Sequence, residues 1–226
     1  MEDPLLVWAA QGDARTFTHG DAIAVASPGL SRRDRLAVAG PPADLAALVP
    51  DVLAEIGPTY RPIGAVSAVT ALCQQVPCLT LVDKFGWMDL SGPPTGPERG
   101  RAGWLAAEDD KPIGKLLDAA WPSAHARPGV DGVRRWAGLR DCAGRLAACA
   151  ADAWSAPTLG FLTGVATHPE ARGRGYAADV CAFTLQSMIE EYGRAALVVD
   201  GWNYAAIRLY RHLGLTYREF AAARVC

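Results

Sequence analysis

Apolar positions recur along this chain at two periods, and each change of period marks an element. "DAIAVAS" (21–27) and "DRLAVAG" (34–40) are short apolar runs divided by a turn with Pro28 and Gly29, which predicts a β-hairpin. Over 41–57 the apolar residues fall at 45, 48, 49, 52, 53 and 56, the stripe of a helix buried on one face. Pro50 inside that stripe predicts a kink. "CLTLVDKFGWMDL" (78–90) reads as strand. The Gly- and Pro-rich stretch "SGPPTGPERGRAG" (91–103) suits neither helix nor strand and divides the chain as a linker.

Beyond it the pattern predicts a strand over 103–110, a helix over 113–121 and a mobile loop over 122–132. An antiparallel pair follows, 133–141 with 144–154, and then a strand over 158–168. Ala177, Val180, Cys181, Thr184, Leu185, Met188, Ile189 and Tyr192 then recur at three- and four-residue steps, which predicts a long helix buried on one face. "AALVVDG" (195–201) is a short buried strand, and Asn203 suits the N-cap of a helix over "YAAIRLYRHLG". Its apolar face holds Ala206, Leu209, Tyr210 and Leu213, with Gly214 as the stop, and "LTYREFAAARV" closes as strand. The order βαβββαβαβ of this half predicts an α+β domain with a mixed sheet, so the chain divides into 1–90, the linker 91–103, and 104–226.

Composition narrows the class. The chain has 226 residues, half of them hydrophobic, with a net charge of −2 and a pI near 6.1. Such a balance argues against nucleic acid as the main partner. The start lacks the charged and apolar regions of a signal peptide, and no apolar run is long enough for a membrane span. Six scattered cysteines without zinc spacing read as reduced core residues of a cytoplasmic protein, with no metal expected.

One stretch sets a physical problem. "GVATHPEARGRGYAADV" (164–180) brings Arg172 and Arg174 to a helix N-terminus, where cations are unfavourable. An anion bound there resolves it: free helix N–H groups, glycines that let a ligand approach the main chain, and two guanidinium groups make a phosphate site. Solvated arginines balanced by Glu170 are the alternative from these residues alone.

"RGRGYA" after "VATHPEA" matches R/Q-x-x-G-x-G/A, and "NYAAIRLYRHLGL" (203–215) matches N-x-x-A-x-x-L-Y-x-x-L-G-F with Leu215 in place of the aromatic. In both motifs the chain resembles the GNAT superfamily of acyl-CoA-dependent N-acyltransferases. The resemblance covers about residues 104–220 and implies the GNAT fold, a mixed and mostly antiparallel sheet flanked by helices. It implies acetyl-CoA as cosubstrate, with Arg172, Gly173, Arg174, Gly175, Tyr176 and Ala177 holding its pyrophosphate. Val165 and Thr167 would contact the pantetheine arm, Asn203 would lie near the cofactor, and Tyr210 would be the general acid for the departing thiolate. A helix cap and a core aromatic are the structural alternatives for Asn203 and Tyr210.

The acceptor would be a small-molecule amine, with a protein acceptor or a non-catalytic CoA-binding module as alternatives, in a monomer or homodimer. The strand over 158–168 carries no glutamate to serve as base, which leaves Asp152, Asp141, Glu108 and His125 as candidates. His125 and Arg127 on the 122–132 loop are the expected acceptor contacts. The first half shows neither motif. Its hairpin, helix and strands suit either a degenerate copy of the same fold, in a two-part arrangement similar to the glycine N-acyltransferase branch, or an unrelated N-terminal domain, with no CoA expected there.

Overall fold

The computed structural model describes residues 3–95 and 101–226. Its elements are α1 (Pro4–Ala9), β1 (Arg15–His19), β2 (Ala22–Ser27), β3 (Arg35–Ala39), α2 (Pro42–Ile56), β4 (Arg61–Ala65), α3 (Val66–Gln75) and β5 (Leu79–Leu90). There follow β6 (Gly103–Trp104), α4 (Asp110–Ala120), β7 (Val133–Arg140), β8 (Leu146–Ala153), β9 (Gly160–Thr167), α5 (Tyr176–Tyr192), β10 (Ala195–Asp200), α6 (Tyr204–His212) and β11 (Thr216–Val225). They form two compact units. One takes the chain up to Trp87 together with Val198–Ile207 and Tyr217–Cys226; the other takes Met88–Leu197 and Arg208–Thr216.

In the first unit the strand order is β1-β2-β3-β4-β11-β5. β1, β2 and β3 form an antiparallel meander, β4 joins β3 in parallel, and β11 lies antiparallel to β4 with Ala221 opposite Gly64. That pairing places the C-terminal strand in the unit of the N-terminal half, where the sequence had set it with 104–226. Helix α2 buries Leu45, Leu48, Val49, Val52 and Leu53 in a core shared with Leu36, Val38, Val69, Leu72, Ala221 and Ala223. Pro50 removes one backbone donor there, yet α2 runs through it without interruption, the buried face outweighing one lost bond. Phe220, on the other side of its strand from Ala221, stacks on Trp87 at 5.8 Å, and Trp87 meets Trp8 at 5.7 Å.

In the second unit the order is β10-β9-β8-β7-β6. β7, β8 and β9 are again an antiparallel meander, and β10 joins β9 in parallel. Every residue of β8, "LAACAADA", is buried. The two faces are covered differently. Leu139 and Ala147 pack with Tyr176 of α5, whereas the adjacent Gly138 faces Leu105 and Leu146, and Leu146 shares a cavity wall with Leu116 of α4. Neighbours on a strand point to opposite faces, so α5 lies on one side of this sheet and α4 on the other. The series meander, helix, parallel strand, helix thus occurs twice, as β1-β2-β3-α2-β4-α3 and as β7-β8-β9-α5-β10-α6.

Several expectations on the second unit need correction. The strand expected over 103–110 is two residues long; Ala107–Asp109 is a 3₁₀ turn and α4 begins at Asp110. The loop over 122–132 is tied down locally, with Ala124 and Ala126 buried. Of the expected linker, 96–100 lie outside the described residues, and Thr95 is anchored by its amide to Leu213 O (3.0 Å) and its hydroxyl to His212 O (2.6 Å). Among the described residues no helix is long and apolar enough to cross a membrane.

Candidate active site

The site grows from a fault in β9. Against β8 its register pairs Thr167 with Ala148, Ala166 with Cys149, Thr163 with Ala151 and Leu162 with Asp152. Between Cys149 and Ala151 the β9 side carries one extra residue, a bulge at Gly164 and Val165. Gly164 has φ +61°, in the left-handed region, and a Cβ there would stand 2.7 Å from the Trp136 ring. Glycine is required on both counts. On its other edge β9 pairs with β10 at Ala195–Gly160 and Ala196–Phe161. β9 continues from Leu162 to Thr167 past that register, and the bulge lies in this part of the strand. Thr163, Val165 and Thr167 are half-buried there, while Leu162 and Ala166 are buried. Val165 and Thr167, the expected pantetheine contacts, therefore line an accessible part of the strand.

The chain then enters the glycine-flanked turn before α5. Pro169–Ala171 form a 3₁₀ turn, and Gly173 (φ +75°) and Gly175 (φ +82°) bracket Arg174 before α5. The first backbone bond of α5 runs from Asp179 N to Gly175 O at 3.1 Å, and Gly175 supplies no side-chain cap. The amides of Tyr176, Ala177 and Ala178 precede that bond and have no intrahelical acceptor. Arg172 and Arg174 are exposed and make no ion pair among the described residues, while Glu170 lies 3.7 Å from Arg145. The balancing role that the sequence allowed Glu170 goes to a different arginine.

A third cation lies here that the sequence reading passed over. The Arg101 guanidinium is 2.8 Å from the buried Asp179 carboxylate and 5.7 Å from the Tyr176 ring centroid. Asp179 is a charged residue in an otherwise apolar stripe, which was the available signal.

Tyr210 is 6 % exposed on the buried face of α6. Burial pushes its phenol well above the ordinary value, with Cys181 of α5 adding to the shift, so the hydroxyl keeps its proton at neutral pH. Burial also pushes the Cys181 thiol up to about 12. The Asn203 side chain caps α6, its Oδ1 accepting from Ala206 N at 3.2 Å.

Two of the candidate bases, Asp152 and Asp141, are engaged by other groups. Asp152 is fully buried and accepts from Arg135 Nε (3.1 Å), Tyr192 Oη (3.0 Å) and Ser155 Oγ (2.5 Å), in a network closed by Arg134 and Glu191. Both its oxygens are engaged, near the end of β8 opposite Leu162 of β9. For Asp141, desolvation is outweighed by hydrogen bonds from Arg145 and Ala143, and its carboxyl is held below the ordinary value. Glu108 lies exposed in the turn before α4. Of the expected acceptor contacts, His125 is half-buried on its loop, and Arg127 spends its guanidinium on Asp118 (2.8 Å) and Pro122 O (2.8 Å). Arg127 therefore clamps the loop to α4. On the α4 side of this unit, Lys111, Lys115, Arg140, Arg145 and His168 surround a cavity of about 310 Å³. Among the described residues no group of three acidic, His or Cys side chains is placed to hold a metal.

The first unit lacks these features at the matching place. Its helix after the meander starts with Pro41 and Pro42, which have no N–H to offer, and carries Asp44 in its first turn. That carboxylate already accepts from Asp21 N at 3.0 Å.

Residues 82–215 match the model of the acetyltransferase (GNAT) family, more than half the chain, and the protein belongs to that family. In fold it is similar to a GCN5-related N-acetyltransferase from Kribbella flavida, at 20% identity and TM-score 0.67, over 100% of this chain and 96% of that one. A GCN5-related N-acetyltransferase from Sphaerobacter thermophilus is similar at 17% identity and TM-score 0.57, over 90% and 80%. A tandem GNAT protein from the clavulanic acid biosynthesis pathway is similar at 12% identity and TM-score 0.51, over 91% and 78%. No curated protein sequence matches the chain.

Proposed function

We propose that the second unit is an N-acyltransferase that moves an acetyl group from acetyl-CoA to the primary amine of a small molecule. The observation that carries this reading is the glycine-flanked turn after β9, which presents unpaired amides and two arginines at the start of α5. These groups suit a pyrophosphate by geometry and charge. The bulged edge of β9 offers the pantetheine arm a strand to lie along, with Val165 and Thr167 half-buried beside it.

The chemistry is direct. The amine nitrogen attacks the thioester carbonyl, the C–N bond forms and the C–S bond breaks. The ammonium proton leaves through water, because Asp152 and Asp141 are engaged by other partners and Glu108 lies exposed in the turn before α4. Tyr210 donates its proton to the departing thiolate, and the proton shed by the amine replaces it. Holding both reactants in line supplies much of the rate.

In this reading the first unit is a copy of the same fold that carries no CoA. Its repeated element order supports the common origin, and its two prolines support the missing function. The test is release of free thiol from acetyl-CoA with a panel of primary amines. At least one amine should raise thiol release well above hydrolysis in its absence. A panel without effect, on protein that binds CoA, would favour a non-catalytic CoA-binding module.

A further inference from the structure

Three arginines meet at the start of β3 and β4 without an acid to balance them. Arg35 and Arg61 open the two strands and are partners in their parallel register, so their side chains leave one face of the sheet from backbones about 4.8 Å apart. Arg33 precedes Arg35 by two residues in extended backbone. None of the three makes an ion pair among the described residues. Asp34, between two of them in the chain, accepts from Gly29 N at 2.9 Å. Arg35 carries the costly charge. Its guanidinium lies 5.9 Å from the Trp8 ring centroid, and its Nε donates to Leu30 O at 3.3 Å. The N–H groups of its two Nη atoms have no protein acceptor among the described residues. Burial, with Arg33 and Arg61 adding, pushes the Arg35 guanidinium down to about 10. A charge withdrawn from water without a counter-charge is destabilising, and like charges opposite each other on neighbouring strands add to the cost. The turn leading into β3 is strained as well. Ser31 and Arg32 have φ of +52° and +64°, where residues with a Cβ are rare. Strain and unpaired charge that a packed framework holds in place point to a binding site. Arg33 is exposed and Arg35 and Arg61 are half-buried, so solvent reaches the cluster.

We propose that Arg33, Arg35 and Arg61 form a binding site in the first unit for the phosphate group of a small molecule. The site is separate in sequence and in unit from the turn before α5, and it stands whether or not CoA binds there. A guanidinium is a planar fork of donors that matches the edge of an oxyanion. The register neighbours Arg35 and Arg61 present two such forks side by side, and a phosphate has oxygens enough to face both. A phosphate dianion offsets two of the three charges, where a single carboxylate offsets one. Inorganic phosphate and the phosphate of a monoester share this chemistry, and titration separates them.

The experiment is calorimetric titration of the full chain with inorganic phosphate, glycerol 3-phosphate and citrate, at an ionic strength matched with sodium chloride. Each titration is repeated on Arg172→Glu, Arg174→Glu protein, in which the turn before α5 no longer favours anions. Phosphate should bind both proteins, and Arg35→Met in either background should weaken it at least about tenfold. Methionine keeps contact with Trp8 and removes the charge. Arg61→Gln makes the same test from the neighbouring strand if Arg35→Met fails to fold. Tighter binding of glycerol 3-phosphate than of inorganic phosphate identifies a monoester as the ligand, and equal or weaker binding identifies free phosphate. Phosphate affinity that survives both arginine substitutions overturns the proposal, as do citrate binding as tight as that of phosphate and absence of phosphate binding to the parent protein. Binding lost in Arg172→Glu, Arg174→Glu but kept in Arg35→Met places the anion at the turn before α5. That outcome removes this site and leaves the CoA reading intact.

Discussion

Tyr210→Phe is expected to lower kcat by about 10²–10⁴-fold, the usual contribution of a positioned acid, and to leave the dissociation constant for acetyl-CoA nearly unchanged. The ring is buried on α6, so phenylalanine keeps the packing and only the hydroxyl is lost. That hydroxyl suits an acid because burial holds its proton in place. The sign of the shift matters. A phenol raised above its ordinary value stays protonated throughout the neutral range, so the activity that depends on it should not fall as pH rises from 6 to 9. Steady-state kinetics on the best amine of the panel reads both quantities. A variant with the kcat of the parent would reduce Tyr210 to a core aromatic.

Gly164→Ala is expected to destabilise the second unit strongly, since its φ is +61° and a Cβ would stand 2.7 Å from the Trp136 ring. Left-handed backbone costs a residue with a Cβ about 1–2 kcal/mol. Forcing a methyl into a packed site costs a further ~1–3 kcal/mol. At roughly 2–4 °C per kcal/mol for a chain of this size, the melting temperature should fall by about 5–15 °C. Gly173→Ala is the comparison: its φ is +75°, yet a Cβ there meets nothing within 4 Å, so it bears the backbone cost alone. Differential scanning calorimetry on both variants separates the two costs. Equal melting temperatures would mean that the Trp136 ring yields freely, and that the bulge is not fixed by the contact described for it.

What was legible in the sequence was whatever a period or a φ requirement writes into it. Helix α5 and helix α2 showed their stripes, and Gly173 and Gly175 announced a turn at the head of α5. Strand β1 was silent because "RTFTH" is a mostly exposed strand with no apolar run to see. Helix α3 buries only Val69 and Leu72, with a β-branched threonine between them. The bulge at Gly164 comes from a register between two strands, and a register is a relation that no single segment carries. The same holds for Arg101, which reaches Asp179 across 78 residues of sequence. Asp152 looked like a free carboxylate because its partners, Arg135, Ser155 and Tyr192, come from three different segments. The return of β11 to the first unit was likewise a matter of pairing, with β4 some 155 residues earlier in the chain.

The central claim is that CoA binds at the turn that opens α5, and calorimetric titration of CoA into the protein and into an Arg172→Glu, Arg174→Glu variant tests it most directly. Both side chains are exposed and neither sits at a left-handed position, so the variant should fold as the parent does. Acidic residues at a helix start are favourable in themselves, which removes instability as a cause of weaker binding. Losing charge-assisted contacts to the pyrophosphate and adding repulsion should weaken CoA binding by about one to two orders of magnitude. An unchanged dissociation constant in the folded variant would contradict the placement of the site, and absence of any binding heat or thermal shift with the parent protein would contradict the claim itself.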